Sequence, residues 1–280
     1  MLTLMIDTSK RTHERYWEID AIRGFLVIGM VFFHTIFLLG IFNIISIDFW
    51  QNVICRNLVG NIRFELIHLG TSLFVMVSGF SLILRHRRMD GMPHKLYCLA
   101  IVKRALIVFL IGVAFAIVSD ILIYFFIGGE FMFFNFLMMM GLSMILCIPF
   151  VGLKKWSFIP AIILIVSGFF LSTISGPIGL MPFGVLPEGF LPRDYFPLLP
   201  WAGIMLLGSA LGSVLYPDGN RRFKVKDKPK KVGKFLSILG KQSLMVYVFH
   251  IPAIALVILI VIGISYLIGC PIGSIGSFGL

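Results

Sequence analysis

Charged residues are scarce in this chain, and acidic residues are the scarcest of them. Asp and Glu together number 13 among 280 residues, against 24 Lys and Arg, and only 13% of the chain is charged. Hydrophobic residues make up 59%, and the mean hydropathy is +1.00. A soluble globular domain does not carry so much apolar surface. The composition therefore excludes that class, and repeated apolar runs of about twenty residues predict a helical membrane protein.

Other common features are also missing. The four cysteines form neither a CxxC pair nor a Cys/His spacing typical of a metal site, so we expect no metal. No internal repeat is evident, which argues against a transporter built from inverted repeats. The first fifteen residues are polar and charged, so we expect no secretory signal and expect the first apolar helix to direct membrane insertion.

The apolar runs predict an all-α, polytopic helical membrane protein with about seven transmembrane helices. The predicted spans are residues 22–42, 64–84, 99–126, 131–151, 158–175, 197–216 and 236–268.

The Lys and Arg residues alternate between the segments that connect these spans. Twenty of the 24 fall on one side and three on the other, which places the N-terminus in the cytoplasm and the C-terminus outside. We expect one integral-membrane domain over 1–280, with a cytosolic segment at 1–19 and a basic cytosolic loop at 217–235. Since the net charge of +11 is concentrated in a few loops, it indicates topology and not a nucleic-acid partner.

The first span carries the clearest sign of a site. Asp20, Arg23 and His34 interrupt an otherwise apolar run, and at about 100° per residue they project within about 60° of one another. A charge at the centre of a membrane helix costs roughly 2.5–3.5 kcal/mol on insertion, so such residues normally face a protein interior or a wet cavity. The structural alternatives are that Asp20 and Arg23 form an ion pair that ends the helix, and that His34 only makes a hydrogen bond to a neighbouring helix.

Further polar side chains fall at comparable depths in other predicted spans. Tyr247 and His250 share one face of the last span, and Asp194 and Tyr195 come directly before the sixth. With the predicted orientation, polar groups from several helices converge on a pocket in the outer half of the membrane. Asp194 as a helix cap and His250 as a partner of carbonyls freed by Pro252 are the structural alternatives.

Three segments, in this order along the chain, resemble the heparan-alpha-glucosaminide N-acetyltransferase catalytic-domain family, in its compact prokaryotic form. The first runs over 15–24 and continues to Met30 and His34. The second is Asp-Tyr-Phe-Pro-Leu-Leu-Pro-Trp at 194–201, followed by Gly208. The third covers 240–252 and ends in His-Ile-Pro.

The resemblance implies transfer of an acetyl group from cytosolic acetyl-CoA to a sugar or glycan on the far side of the membrane. It also implies an integral protein of the prokaryotic cytoplasmic membrane. Three positions depart from the family pattern: Leu38 stands where small members often have Asp, Met138 where a His is expected, and Ile251 where Gln usually follows the last His.

From the resemblance and the charge pattern together we assign expected roles. His34 is the intramembrane base or acetyl carrier, because a neutral imidazole suits either route, and Asp20 and Arg23 complete the catalytic motif. Basic side chains on the cytosolic side would hold the phosphates of the donor. The expected acceptor-binding residues are Asp194, Tyr195, Trp201, Tyr247 and His250, and the expected CoA-binding residues are Arg23, Arg87, Arg88, Arg221 and Arg222.

Two other hypotheses fit the same sequence. One is a degenerate acyltransferase that acts as a partner in envelope assembly, and the other is a carrier or flippase for a small solute or lipid head group. The expected partners are the lipid bilayer and a sugar or glycan acceptor, and a homo-oligomer is compatible with the sequence.

Overall fold

The computed structural model describes residues 15–45, 62–89, 93–126, 132–190, 192, 194–226 and 229–273. These parts are almost entirely helical. Short 3₁₀ helices at Lys154–Ser157, Ile178–Phe183 and Pro217–Gly219 lie in the connections. The α-helices are α1 (Trp17–Ile41), α2 (Ile62–Arg88), α3 (His94–Phe126), α4 (Phe136–Val151), α5 (Phe158–Leu171), α6 (Leu198–Leu215), α7 (Lys231–Lys241) and α8 (Ser243–Leu267).

The predicted fold class, a polytopic helical membrane protein, is confirmed. Among the described residues, six helical segments are long and apolar enough to cross a membrane, and α4 is a shorter apolar helix of 16 residues. Large apolar side chains cover the outside of the bundle, with Phe25, Phe32 and Phe170 each about two-thirds exposed. Such a surface suits contact with lipid tails and not with water.

The helices differ from the predicted spans by a few residues at most ends, and two of the differences have a clear structural cause. The fourth begins at Phe136 and not at residue 131, because Asn135 caps it: its side-chain oxygen accepts hydrogen bonds from the backbone N–H of Leu137 and Met138, both at 3.1 Å. The last span, predicted as one helix over 236–268, is divided at Gln242, whose backbone leaves the helical region. The amphipathic α7 and the apolar α8 are therefore separate elements.

The helix α6 lies at the centre of one part of the bundle. It packs against α2, α4 and α5, and most of its residues are buried. On the other side, α1 packs against α7, α8 and α2. This arrangement brings the polar stripe of α1 next to the start of α8.

Glycines set the closest approaches between helices. A Cβ added at Gly24 would collide with the carbonyl of Leu236, and one at Gly240 with the carbonyl of Asp20, so α1 and α7 touch backbone to backbone. The same holds for α2 and α6, where a Cβ at Gly208 would strike the carbonyl of Met76. Small residues at membrane helix crossings permit this contact.

Candidate functional site

The carboxylate of Asp20 forms ion pairs with two arginines near the start of α1. Arg15 approaches it with two nitrogens, Nε at 2.6 Å from Oδ2 and Nη2 at 3.0 Å from Oδ1. Arg23 approaches from one turn further on, with Nη1 at 3.3 Å from Oδ1. Asp20 is only 3% exposed. A carboxylate buried this deeply requires charged or hydrogen-bonding partners, and the two guanidinium groups supply them.

The guanidinium of Arg23 also joins α1 to α2. Its Nη2 donates to the hydroxyl of Ser81 at 2.6 Å, and that hydroxyl donates in turn to the carbonyl of Val77 at 3.1 Å. Arg23 is therefore more than the end of an ion pair within one helix. It is fixed between two helices and points into the bundle.

A cavity of about 110 Å³ begins at this arginine. Side chains of α2, α3, α4 and α8 line it, and most of them are apolar. Three guanidinium groups lie at one end, from Arg23, Arg85 and Arg104, while Ser243 and Tyr247 of α8 supply hydroxyls further along. The combination of a basic end, a few hydroxyls and apolar walls is typical of a site for an amphipathic anion.

The two predicted histidines face each other at the interface of α1 and α8. The ring centroids of His34 and His250 are 4.8 Å apart, with the planes at 76°. This contact was expected from neither helix alone. It supports the prediction that both imidazoles belong to one site.

Backbone carbonyls fix the orientation of both imidazoles. Nδ1 of His34 lies 2.9 Å from the carbonyl oxygen of Met30, and Nδ1 of His250 lies 2.6 Å from that of Tyr247. A carbonyl can only accept, so geometry assigns the proton to Nδ1 in each ring, and a neutral ring then carries its lone pair on Nε2. Nε2 of His250 is buried and has no hydrogen-bond partner among the described residues. The pair thus offers basic nitrogen, held in place by helix geometry.

Tyr247 connects the cavity with the histidine pair. It lines the cavity, its ring stacks on Phe136 with centroids 5.5 Å apart, and its centroid is 5.8 Å from that of His250. Neither histidine is among the residues that line the described cavity. The aromatic ring of Tyr247 therefore stands between the arginine-lined space and the imidazoles.

Asp194 lies on the other side of Tyr247, in the turn that leads into α6. Its backbone is left-handed, with φ of 46°, and the residue is accessible. Nevertheless, desolvation by the surrounding protein raises the pKa of its carboxyl to about 7. The carboxyl is also within electrostatic reach of the hydroxyl of Tyr247.

Two of the predicted acceptor-binding residues make contacts within the protein and are not available to an acceptor. The hydroxyl of Tyr195 donates to the carbonyl of Met181 at 2.6 Å and ties the turn to the preceding loop. Burial raises the pKa of that hydroxyl to about 12. Trp201 is buried, with its ring 5.4 Å from that of Phe196. These contacts show how the 194–201 motif holds Asp194 in position.

The predicted CoA-binding arginines outside the bundle are spread over its predicted cytosolic face. Arg221 binds Glu18 with Nε at 2.6 Å and Nη2 at 3.1 Å, and it lies over the ring of Tyr16. Nη1 of Arg87 is 3.5 Å from Asp218. Arg88 and Arg222 are exposed. Of the predicted set, only Arg23 lines the cavity.

Sequence reasoning missed the remaining cationic residues of the cavity, Arg85 and Arg104. A signal was present for Arg104, because it lies within a predicted span and not in a loop. A charge at that depth has the same meaning as the charges of the first helix. Arg104 was missed because it was counted with the loop charges that determine topology.

The three departures from the family pattern are apolar packing positions. Leu38 is buried against Ile258 and Ile262 of α8, and Ile251 packs against the same cluster. Met138 packs on the main core. Each of the three therefore extends the helix packing where a polar group was expected.

A comparison with known protein families finds a match that covers most of the chain. A family model described as heparan-alpha-glucosaminide N-acetyltransferase, catalytic, matches residues 15–252, and so includes all the polar residues described above. No curated protein and no solved structure matches the chain significantly.

Proposed function

Because the chain belongs to the heparan-alpha-glucosaminide N-acetyltransferase catalytic family and is a membrane acetyltransferase, we propose that its donor is cytosolic acetyl-CoA and its acceptor a sugar or glycan on the outer side. The observation that carries the proposal is the pair of facing imidazoles, His34 and His250, one aromatic ring away from an arginine-lined cavity. Acetyl transfer needs a base or nucleophile beside a thioester, and an anion site that holds the donor.

The donor approaches from the basic side. In this proposal Arg87, Arg88, Arg221 and Arg222 attract the polyanionic donor to the mouth of the bundle, and Arg23 stands at the opening of the cavity. Long-range attraction by clustered charge raises the rate of encounter with an anion. Residues 1–280 act as one domain, with 1–19 and 217–235 on the cytosolic face of a prokaryotic cytoplasmic membrane.

The chemistry follows either of two routes at Nε2 of His34. In the direct route, Nε2 takes the proton of the acceptor amine or hydroxyl while the acceptor attacks the thioester carbon. The C–S bond breaks, and the proton passes to the departing thiolate. In the covalent route, Nε2 attacks that carbon first, and the acetyl group passes from the imidazole to the acceptor, whose proton goes to the thiolate. Neutral imidazole serves both routes.

The acceptor side is formed by the groups beyond Tyr247. Asp194 and His250 orient or deprotonate the acceptor, with Tyr247 near both. The raised pKa of the Asp194 carboxyl and the unpartnered Nε2 of His250 support this assignment. Tyr195 and Trp201 contribute indirectly, because they hold the 194–201 motif, and with it Asp194, in position.

The test is turnover by the purified protein with acetyl-CoA and a panel of amino sugars and glycan lipids. Thiol release that depends on an acceptor is the expected result. Replacing His34 by Ala should reduce the rate by about 10²- to 10⁴-fold, the usual contribution of a general base. His94→Ala is the matched control, because that histidine lies outside the site. Wild-type turnover in a folded His34→Ala protein would remove His34 from the mechanism.

A second candidate function is favoured by the apolar side chains at Leu38, Met138 and Ile251. A degenerate acyltransferase that serves as a partner in envelope assembly would bind the donor without turnover. A carrier or flippase would move its solute without consuming acetyl-CoA. The same assay, extended with transport into proteoliposomes, separates both from the transferase.

A further inference from the structure

We propose that Arg85 and Arg104, together with Arg15 and Arg23, form a binding site for the phosphate groups of the donor inside the bundle. The inference rests on the proposed function, and it assigns the phosphate contacts to residues that neither the motif nor the loop charges indicate. Its first support is position, since Arg23, Arg85 and Arg104 all line one end of the cavity.

The second support is an excess of positive charge. Arg23 is close enough to Arg15 and Arg104 to be repelled by both, and Arg104 is repelled by Arg15 and Arg85. Asp20 is the acidic partner of this group, and it already binds Arg15 and Arg23. Four cations around one carboxylate repel one another. A bound dianion attracts all four and so turns the net repulsion into net attraction.

The third support is that the guanidinium groups of Arg85 and Arg104 have no partner among the described residues. The guanidinium groups of Arg85 and Arg104 make no hydrogen bond or ion pair with any residue that the structure describes. Arg104 is accessible although it lies in the third turn of α3, about 15 Å along the helix from His94. A guanidinium presents five donors in a fork that matches phosphate oxygens, so both side chains are free to act as phosphate ligands.

The shape of the cavity fits a phosphate held at this end. Along α2, its lining runs from Arg85 to Phe74, which is roughly 16 Å of helix. Tyr247 and Phe136 lie at the Phe74 end, since the ring of Phe136 contacts those of Phe74 and Tyr247. A donor with its phosphates on the arginines would therefore extend its narrow pantetheine arm along the apolar walls. Its thioester would reach the aromatic pair that borders the histidines.

The experiment compares acetyl-CoA with acetyl-pantetheine, a donor that lacks the phosphorylated adenosine part of coenzyme A. Arg85→Gln and Arg104→Gln should raise the KM for acetyl-CoA by about 10- to 100-fold, the loss expected for a charge-assisted hydrogen bond. They should leave turnover of acetyl-pantetheine, which lacks the phosphates, within about twofold. Lys103→Gln is the matched control, since it removes a neighbouring charge of α3 that does not line the cavity.

A second measurement uses the unmodified protein. Inorganic pyrophosphate should compete with acetyl-CoA and not with acetyl-pantetheine. An unchanged KM for acetyl-CoA in both arginine variants, or equal effects on the two donors, overturns the inference while acetyl transfer itself stands. Variants that lose only the binding of an anionic lipid would also overturn it. If the wild-type protein transfers no acetyl group from either donor, the proposed function fails instead, and direct binding of CoA still tests the arginines.

Discussion

At the scale of single residues, the sequence predicted best where a polar side chain interrupts an apolar helix. Asp20, Arg23 and His34 were found because helical periodicity places them on one stripe, and the structure buries or half-buries all three. Arg85 was not found, because a charge near a helix end looks the same whether it serves topology or a site. Which nitrogen of His250 stays unpartnered depends on tertiary packing and cannot be read from spacing.

Asp194 gives a prediction for pH dependence. Its pKa is raised to about 7, so the folded protein holds this proton up to neutral pH and the carboxylate forms only above it. If this group accepts a proton from the acceptor, the acetyl transfer rate should rise through pH 7, and Asp194→Asn should remove that rise. A pH profile of the rate measures this. A profile unchanged by the substitution would exclude Asp194 as the base.

The same raised pKa affects stability, with a definite sign. An acid whose pKa is higher in the folded state than its ordinary value of 3.8 makes the folded protein bind more protons between about pH 4 and pH 7. Stability therefore falls as pH rises across that window and is flat above it. Asp194→Asn should flatten this part of the thermal stability profile, because the amide does not ionise.

At the scale of helices, hydropathy predicted which segments cross the membrane but not how α7 and α8 divide. The break falls in the polar stretch 240–243, which the prediction included in one long apolar span. The contacts that bring α1 against α7 depend on Gly24 and Gly240, whose role becomes visible only when two helices are placed side by side. The start of α4 is different, because the sequence itself contains the signal for it: Asn135 is a strong helix cap.

The crossing of α1 and α7 gives a stability prediction. Gly24→Ala places a methyl group on the carbonyl of Leu236, and overpacking of this kind typically costs 1–3 kcal/mol. We expect a clearly lower Tm in detergent and a displaced Asp20. Gly29→Ala, on the same helix with open space around its added Cβ, should leave Tm nearly unchanged. Equal Tm values for the two variants would show that the helices do not touch at Gly24.

At the scale of the whole molecule, composition alone gave the class, because few soluble proteins are 59% hydrophobic. The arrangement around α6 could not be predicted, since most faces of the spans are apolar and a face in contact with lipid looks like a core face in the sequence. The orientation in the membrane remains a prediction from the positions of Lys and Arg.

Orientation can be tested by labelling single cysteines in intact cells. In a background with Cys55, Cys98, Cys147 and Cys270 all replaced by Ser, Ser172→Cys follows α5 on the predicted outer side, and Arg222→Cys lies in the basic loop. A membrane-impermeant maleimide should label the first in intact cells and the second only after permeabilisation. The reverse pattern would invert the topology.

The stacked rings of Phe136 and Tyr247 have a consequence for the living cell. A protein with polar side chains in both halves of a bilayer risks becoming a leak for protons, which would drain the electrochemical gradient that drives ATP synthesis. The two aromatic rings stand between the arginine-lined cavity and the histidines, so they narrow the path that water could follow from one half to the other. A thioester that reacts at His34 has to pass this pair, and the pair separates the two halves whenever no donor is bound.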